Sequence, residues 1–145
     1  QSNKSAQVAS HFDWVQSVDR TKIAKRLNEQ RPADKAPLNV LIQVNISLEE
    51  AKSGCHPDEL MALAEFISQC PNLCLRGVMA IPAKTDDAQL QLQYFEQLSA
   101  CFDKLKAQYP QVDTLSMGMS NDVEAAIAAG STMVRIGTDI FGQRN

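Results

Sequence analysis

The residues whose types and spacing point most directly to chemistry lie near the end of the chain, in "SMGMSND" (116–122) and "STMVRIGTDIFG" (131–142). The second segment begins as an apolar strand and then places Arg135 in its middle. Side chains alternate along a strand, so Arg135 and Gly137 share one face. A guanidinium facing a packed interior costs several kcal/mol unless its hydrogen bonds are accepted. Either an internal ion pair, a strand end close to water, or a bound ligand would meet that need.

A candidate anion site follows from the neighbours of this arginine. Gly137 lets the backbone approach a ligand closely, and Thr138 offers a hydroxyl and a backbone N–H. In the other segment a glycine-containing turn and Ser120 precede a helix start, whose free N–H groups favour a phosphate. Asp122 and Glu124 favour an ordinary capped helix there instead. Neither segment has the spacing of a Walker-type or dinucleotide-binding loop.

The elements that must position these residues are predicted from the changing apolar period. Short β-branched runs predict strands over residues 14–19, 39–46, 73–81, 113–120 and 132–138, with helical patterns between them. Such alternation predicts a parallel sheet with right-handed crossovers. A doubly wound open sheet would be complete in 145 residues, whereas a (β/α)8 barrel needs more, so length alone favours the open sheet.

In either architecture, ligands gather at the carboxyl ends of parallel strands. The polar and soft side chains expected there are Asp19, Arg20, Asn45, Ser47, Met79, residues 116–121, Arg135, Gly137 and Thr138. The ends of the last two strands are where barrels commonly hold a phosphate. Because Arg135 precedes that place by two residues, it is suited to donate to a ring attached to the phosphate. A phosphate joined to a ring with a nitrogen acceptor is the profile of pyridoxal 5′-phosphate (PLP).

The composition restricts the class of protein. The chain has 145 residues, 44% of them hydrophobic and 21% charged, which fits one soluble domain. A net charge of -3 argues against a nucleic-acid partner. We find no apolar run long enough for a membrane span and no secretory leader, so we expect a cytoplasmic protein without a membrane partner. The spacing of the cysteines and the isolated histidines predict reduced thiols and no metal site.

At this point the chain resembles a known family. The run "LSMGMSNDVEAAIAAGSTMVRIGTDIFG" is similar to the end of the YggS/PROSC family of pyridoxal phosphate homeostasis proteins. The opening "QSNK" resembles the tail of that family's signature, and "NVLIQVNIS", "KSG" and "RGVMAIPA" match it in order. The resemblance implies an alanine racemase N-terminal-like TIM-type barrel, against the length argument. Residues 1–145 would then be the C-terminal portion of one PLP-binding domain, about its last five strands, without the N-terminal strands.

The resemblance also implies roles for particular residues. Arg135 would face the pyridine nitrogen, and Met79 would line the pocket. The phosphate would be held by Ser120, Gly137, Thr138 and the backbone around Met119. The lysine that forms a Schiff base with PLP is expected upstream of Gln1, so no residue of this chain is assigned as catalytic. Lys4 and Lys52 are expected to lie in solvent-exposed loops.

The implied function is a monomeric PLP carrier or buffer in vitamin B6 homeostasis, with little or no turnover. An arginine can only donate, so it leaves the ring nitrogen unprotonated and the ring a weaker electron sink. One alternative is a PLP-dependent enzyme resembling alanine racemase. Such an enzyme needs a second acid or base, for which Tyr94 and Tyr109, predicted on helix positions, are poorly placed. A further alternative is an α/β scaffold that binds a protein partner and no cofactor.

Overall fold

The chain folds into alternating helices and parallel strands. The computed structural model describes residues 2–47, 54–82, 85–117 and 133–134, and within these the side chains of 7–47, 54–82 and 85–116. The helices are α1 (Ser2–His11), α2 (Thr21–Gln30), α3 (Leu60–Ser68) and α4 (Ala88–Gln108). The strands are β1 (Trp14–Val18), β2 (Leu38–Gln43), β3 (Leu73–Ala80), β4 (Thr114–Met117) and β5 (Met133–Val134).

The helices form where the apolar period and the local capping groups favour them. Four apolar residues at helical spacing on α3 are all buried, namely Leu60, Leu63, Ala64 and Ile67. Pro57 opens a short 3-10 turn ahead of α3, and the His56 and Glu59 side chains cap it reciprocally. Asp87 caps α4 by accepting hydrogen bonds from the backbone N–H groups of Gln89 and Leu90.

The helices and one face of the sheet share a single hydrophobic core. Along β2, Val40 and Ile42 belong to this core, together with Leu27 of α2, Ile67 of α3 and Leu98 of α4. Because side chains alternate along a strand, Leu41 and Gln43 point to the other face of the sheet, here called the inner face. The helix-covered face is called the outer face. Both faces of β2 are largely buried, which explains why its sequence is a nearly continuous apolar run.

The five strands are all parallel and lie in sequence order, β1-β2-β3-β4-β5. A doubly wound sheet of flavodoxin type reverses its strand order at a switch point, and this sheet does not. The expectation drawn from chain length alone is therefore wrong, and the barrel-type architecture implied by the resemblance is confirmed. Length misled because a segment of a barrel has the same alternation as a complete open sheet.

The sheet is strongly curved toward its inner face. The Ser116 hydroxyl of β4 donates to Gln16 Oε1 of β1 at 3.3 Å, although two strands separate them. In a flat sheet three strand spacings would hold these backbones about 14 Å apart, farther than a serine and a glutamine can reach. The guanidinium of Arg76 in β3 likewise lies 4.9 Å from the ring centroid of Trp14 in β1. Such curvature is expected of part of a closed barrel.

At the start of the chain one helix was not predicted, and one sequence-based expectation fails. Residues 2–11 form α1, which the apolar pattern did not reveal because the helix is polar overall, and Lys4 therefore lies in a helix and not in a loop. The helix is docked through its carboxyl end by Arg31, whose Nη1 donates to Ala9 O at 2.8 Å and Phe12 O at 2.7 Å. The contacts that hold α1 are thus long-range in sequence.

Across the described ranges, the helices include none that is long and apolar enough to cross a bilayer.

Candidate functional site at the carboxyl ends of the strands

A row of inner-face residues crosses the sheet near the carboxyl ends of three strands. Gln43 of β2 is in register with Met79 of β3, and Met79 is in register with Ser116 of β4. Their exposed fractions are 9%, 3% and 0%. We call Gln43, Met79 and Ser116 the inner row. The row supplies an amide, a polarisable thioether and a hydroxyl to one buried surface, a mixture suited to an aromatic ligand with polar substituents.

Of the site residues that the family resemblance implies, Met79 lies within the described chain, where it is buried on the inner face near the end of β3. Its role in a pocket stays a prediction. Met119, Ser120, Arg135, Gly137 and Thr138 lie outside the described residues, as does Lys52. The strand ends that lead toward them are in place, because β4 and β5 pair in parallel with Ser116 opposite Met133.

The end of β1 is tied to the segment that follows β2. Asp19 directly follows β1, and its Oδ2 accepts a hydrogen bond from Gly54 N at 3.1 Å. A Cβ on Gly54 would lie 2.7 Å from Asn45 N, so the close approach requires glycine. Arg20 is largely exposed, and its Nε donates to Asp19. Sequence analysis placed Asp19, Arg20 and Asn45 at this edge of the sheet, and the structure brings Asp19 and Asn45 together around Gly54.

The cysteines near this edge are not poised for nucleophilic chemistry. Burial raises the pKa of the Cys55 thiol to about 12, with the nearby Glu59 and Asp19 carboxylates adding to the effect. Burial also raises the pKa of Cys101 and of Cys70. All four cysteines are free thiols, as expected from their spacing. Within the described ranges, the structure brings no three histidine, cysteine or acidic side chains into a metal-binding group.

A second polar cluster on the inner face lies at the opposite, amino ends of the strands. Arg76 Nε donates to Asp113 Oδ1 at 3.0 Å, and its Nη1 donates to Asn39 Oδ1 at 3.1 Å. Its Nη2 also donates to Asp113 Oδ2. The guanidinium covers the ring of Trp14, so the cluster joins β1, β2, β3 and the start of β4. Because ligands of such sheets bind at the carboxyl ends, this cluster has a structural role.

Sequence analysis missed three polar residues of the inner face that the structure brings out. Gln43 carried a usable signal, as a polar residue inside the apolar run "NVLIQVNI". Gln16 and Arg76 carried little signal, because their partners, Ser116 and Asp113, are distant in sequence and meet them only through the curvature of the sheet.

The parallel sheet in sequence order and its curvature define a TIM-barrel-type α/β protein. The family model of the alanine racemase N-terminal domain matches residues 1–145. The chain belongs to this family.

Relatives with known names and structures agree with this assignment. A pyridoxal phosphate homeostasis protein of Haemophilus influenzae is 60% identical over the whole of this chain, which spans 62% of the relative's length. PipY of Synechococcus elongatus PCC7942, solved with PLP bound, is 34% identical with a TM-score of 0.84, and the match covers 98% of this chain and 66% of PipY. The crystal structure of a protein from Bifidobacterium adolescentis described as unknown is 37% identical with a TM-score of 0.88, and the match covers 97% of this chain and 57% of that protein's chain.

Proposed function

We propose that the whole protein carrying this chain binds PLP and serves intracellular PLP homeostasis as a carrier or buffer with little or no turnover. The observation that carries the proposal is the match to PLP-bound PipY over 98% of the chain, at 34% identity. The 60% identical relative named as a pyridoxal phosphate homeostasis protein supports the same function. We propose that the protein serves this function in the cytoplasm.

The inner row fits such a cofactor chemically. Met79 offers a polarisable apolar surface to a heteroaromatic ring. Gln43 is a buried residue whose carboxamide can both donate and accept a hydrogen bond. Polar groups at the carboxyl ends of parallel strands, beside an apolar surface, are what a small ring with a charged substituent requires.

We assign the remaining contacts to residues that follow β4 and β5. Arg135 would donate to the pyridine nitrogen, and Ser120, Gly137, Thr138 and the backbone at Met119 would hold the phosphate. When bound, PLP supplies an aldehyde that bonds covalently to amines and a ring that withdraws electrons. An arginine at the ring nitrogen keeps that nitrogen unprotonated and weakens the withdrawal, which suits a carrier better than an enzyme.

We further propose that residues 1–145 are the C-terminal portion of a single barrel domain. The lysine bonded to PLP would then belong to the part of the whole protein that precedes this chain. An intact-mass measurement on the natural protein tests this, because the chain alone accounts for 16.0 kDa. A mass well above that value supports the proposal, and a mass of 16.0 kDa contradicts it.

The substitution Arg135→Glu tests the cofactor assignment directly. We expect it to change the visible absorbance of bound PLP and to weaken PLP binding by about tenfold or more, because a charge-assisted hydrogen bond contributes about 1.5–3 kcal/mol. Lys104→Glu makes the same change of charge at an exposed position on α4 and is the matched control. Unchanged absorbance and affinity in Arg135→Glu would show that Arg135 does not contact the ring.

The racemase-like alternative gains no support from the described residues. Tyr94 lies in α4 and Tyr109 directly follows it, and both pack against the outer core. Neither is therefore placed to move a proton at the carboxyl ends of the strands. We expect no sustained loss of optical activity when the whole protein is incubated with L-alanine and PLP, and sustained turnover in polarimetry would overturn the carrier function.

A further inference from the structure

Helix α2 carries three cationic residues on its solvent-facing side. Lys25 and Arg26 lie three and four residues after Lys22, which places all three on one side of the helix. The buried residues Ala24 and Leu27 occupy the opposite side. We call Lys22, Lys25 and Arg26 the basic patch. Both lysines are exposed, so their charges are directed to water.

The helices that flank the basic patch are in place around it. Helix α2 contacts both α1 and α3 in the helix layer. Among the described residues the ion pairs join other side chains, and the carboxylate next to the start of the helix, Asp19, is paired with Arg20. Within the described ranges, the positive charge of the basic patch is therefore not cancelled by a carboxylate in direct contact.

The basic patch lies toward the same edge of the sheet as the proposed PLP site. Only Asp19 and Arg20 separate the end of β1 from the start of α2, and Asp19 also accepts a hydrogen bond from the backbone of Gly54, beside the end of β2. A helix that connects parallel strands runs back along the sheet, so its first turns lie at the carboxyl ends of the strands. The carboxylate of α2, Glu29, lies near the opposite end of the helix. Helix α2 is therefore polarised, with its positive end at the carboxyl ends of the strands.

The stability of α2 does not account for this arrangement. The amino end of a helix is the positive end of the helix dipole, so the charge of Lys22 in the first turn is unfavourable there. Lys22 is also three and four residues from Lys25 and Arg26, and like charges at these spacings repel one another. The charges therefore lower the stability of the helix that carries them, and their position indicates an effect on an anionic ligand.

We propose that the basic patch steers PLP electrostatically to the carboxyl ends of the strands and raises its rate of association without contacting the bound cofactor. A phosphate monoester carries about −1.5 to −2 charges at pH 7. This chain has a net charge of -3, which by itself would slow the approach of such an anion. Local positive charges beside the proposed site reverse that effect at short range. The inference rests on the proposed function and adds to it a cause of the association rate.

The variant Lys22→Glu/Lys25→Gln tests the steering, because it removes the charge of both exposed lysines and reverses one of them. Stopped-flow absorbance of the whole protein mixed with PLP measures the association and dissociation rate constants. At an ionic strength of about 0.1 M, where the Debye length is about 10 Å, we expect association to slow about twofold or more and dissociation to stay unchanged. At about 1 M, where the Debye length is about 3 Å, the variant and wild type should associate at the same rate.

The variant Lys35→Glu/Lys104→Gln is the matched control, because it makes the same total change of charge at two exposed positions far from the carboxyl ends. Lys35 lies in the connection that precedes β2, and Lys104 lies near the end of α4. The length of a strand, about 20 Å, separates the two ends of the sheet and equals roughly two Debye lengths at 0.1 M. We expect the control to associate with PLP at the wild-type rate.

Thermal unfolding without ligand separates steering from a structural effect. The midpoint of Lys22→Glu/Lys25→Gln should equal or exceed that of wild type, because an unfavourable charge at the start of α2 is replaced by a favourable one. A lowered midpoint together with slower association would overturn the inference, since it would show that the substitution damages the fold.

An unchanged association rate constant at about 0.1 M in the patch variant would overturn the inference. Equal slowing in the control would also overturn it, since net charge and not the basic patch would then be the cause. Faster dissociation would overturn it by showing a direct contact with the bound cofactor. In these outcomes wild type still binds PLP, whereas the absence of saturable PLP binding by wild type would overturn the proposed function itself.

Discussion

At the scale of single residues, the inner face divides into two ends with different roles. At the amino ends, Arg76 meets Asp113, Asn39 and the ring of Trp14 in a set of paired polar contacts. At the carboxyl ends, Gln43 is buried beside Met79 on the same face of the sheet. Paired polar groups such as those at the amino ends stabilise the fold.

The ion pair between Arg76 and Asp113 predicts how the free energy of unfolding depends on pH. The hydrogen bond from Arg76 lowers the pKa of Asp113 below its ordinary value. The charged carboxylate therefore stabilises the fold above about pH 4, the ordinary range of an aspartate, and this stabilisation is lost as pH falls through the lowered pKa. Because the Asp113 side chain is 50% exposed, Asp113→Asn should cost only about 0.5 kcal/mol at pH 7.

Urea unfolding of wild type and Asp113→Asn between pH 3 and pH 7 measures this difference, which should shrink below about pH 4. Arg76→Met tests the partner, and the double variant should lose less than the sum of the two single losses. A difference in free energy that stays constant down to pH 3, or strict additivity of the two substitutions, would refute the pairing as a source of stability.

At the scale of elements, the position of each strand depends on close backbone contacts that side-chain patterns do not reveal. The register between β2 and β3 shifts at Arg76, so β3 has one additional residue before Gly77. A Cβ built on Gly77 would lie 1.7 Å from Thr114 O of β4. Glycine is therefore required for β3 and β4 to approach, and their pairing in turn places Met79 beside Ser116.

Gly77→Ala should destabilise the whole protein by about 3 kcal/mol or more, because the strands must separate to accept a methyl group. The reverse type of change in the same strand, Ala80→Gly, is the control and should cost about 1 kcal/mol. Chemical denaturation with a circular dichroism signal measures both. Gly77→Ala with a stability within 1 kcal/mol of wild type would show that the contact with Thr114 can relax.

Sequence analysis predicted the elements better than it predicted their arrangement. The first strand was predicted over residues 14–19 from its local apolar pattern, and it is observed at Trp14–Val18. The barrel-type topology did not follow from pattern or length, because strand order depends on which strands pair. Only the family resemblance predicted the barrel-type topology.

The site was predictable to different degrees for similar reasons. Met79 could be named because strand ends collect ligand contacts, and the structure places it on the inner face, while its role in a pocket stays a prediction. Gln16 was not identified, since its importance depends on Ser116, one hundred positions away. The roles of Arg135 and Ser120 stay predictions, because they lie outside the described residues.

At the scale of the whole molecule, the parallel strands place a buried, partly polar surface at their carboxyl ends while the helices cover the outer face. The outer core and the paired amino-end cluster hold the fold, and our proposal is that the carboxyl ends recognise a ligand. The central claim is that the ligand is PLP.

That claim is tested most directly by titrating the whole protein with PLP and following visible absorbance, with inorganic phosphate as competitor. The account predicts a saturable spectral change with one PLP bound per protein molecule and no turnover of added L-alanine. Absence of any saturable change at PLP concentrations far above that of the protein would contradict it.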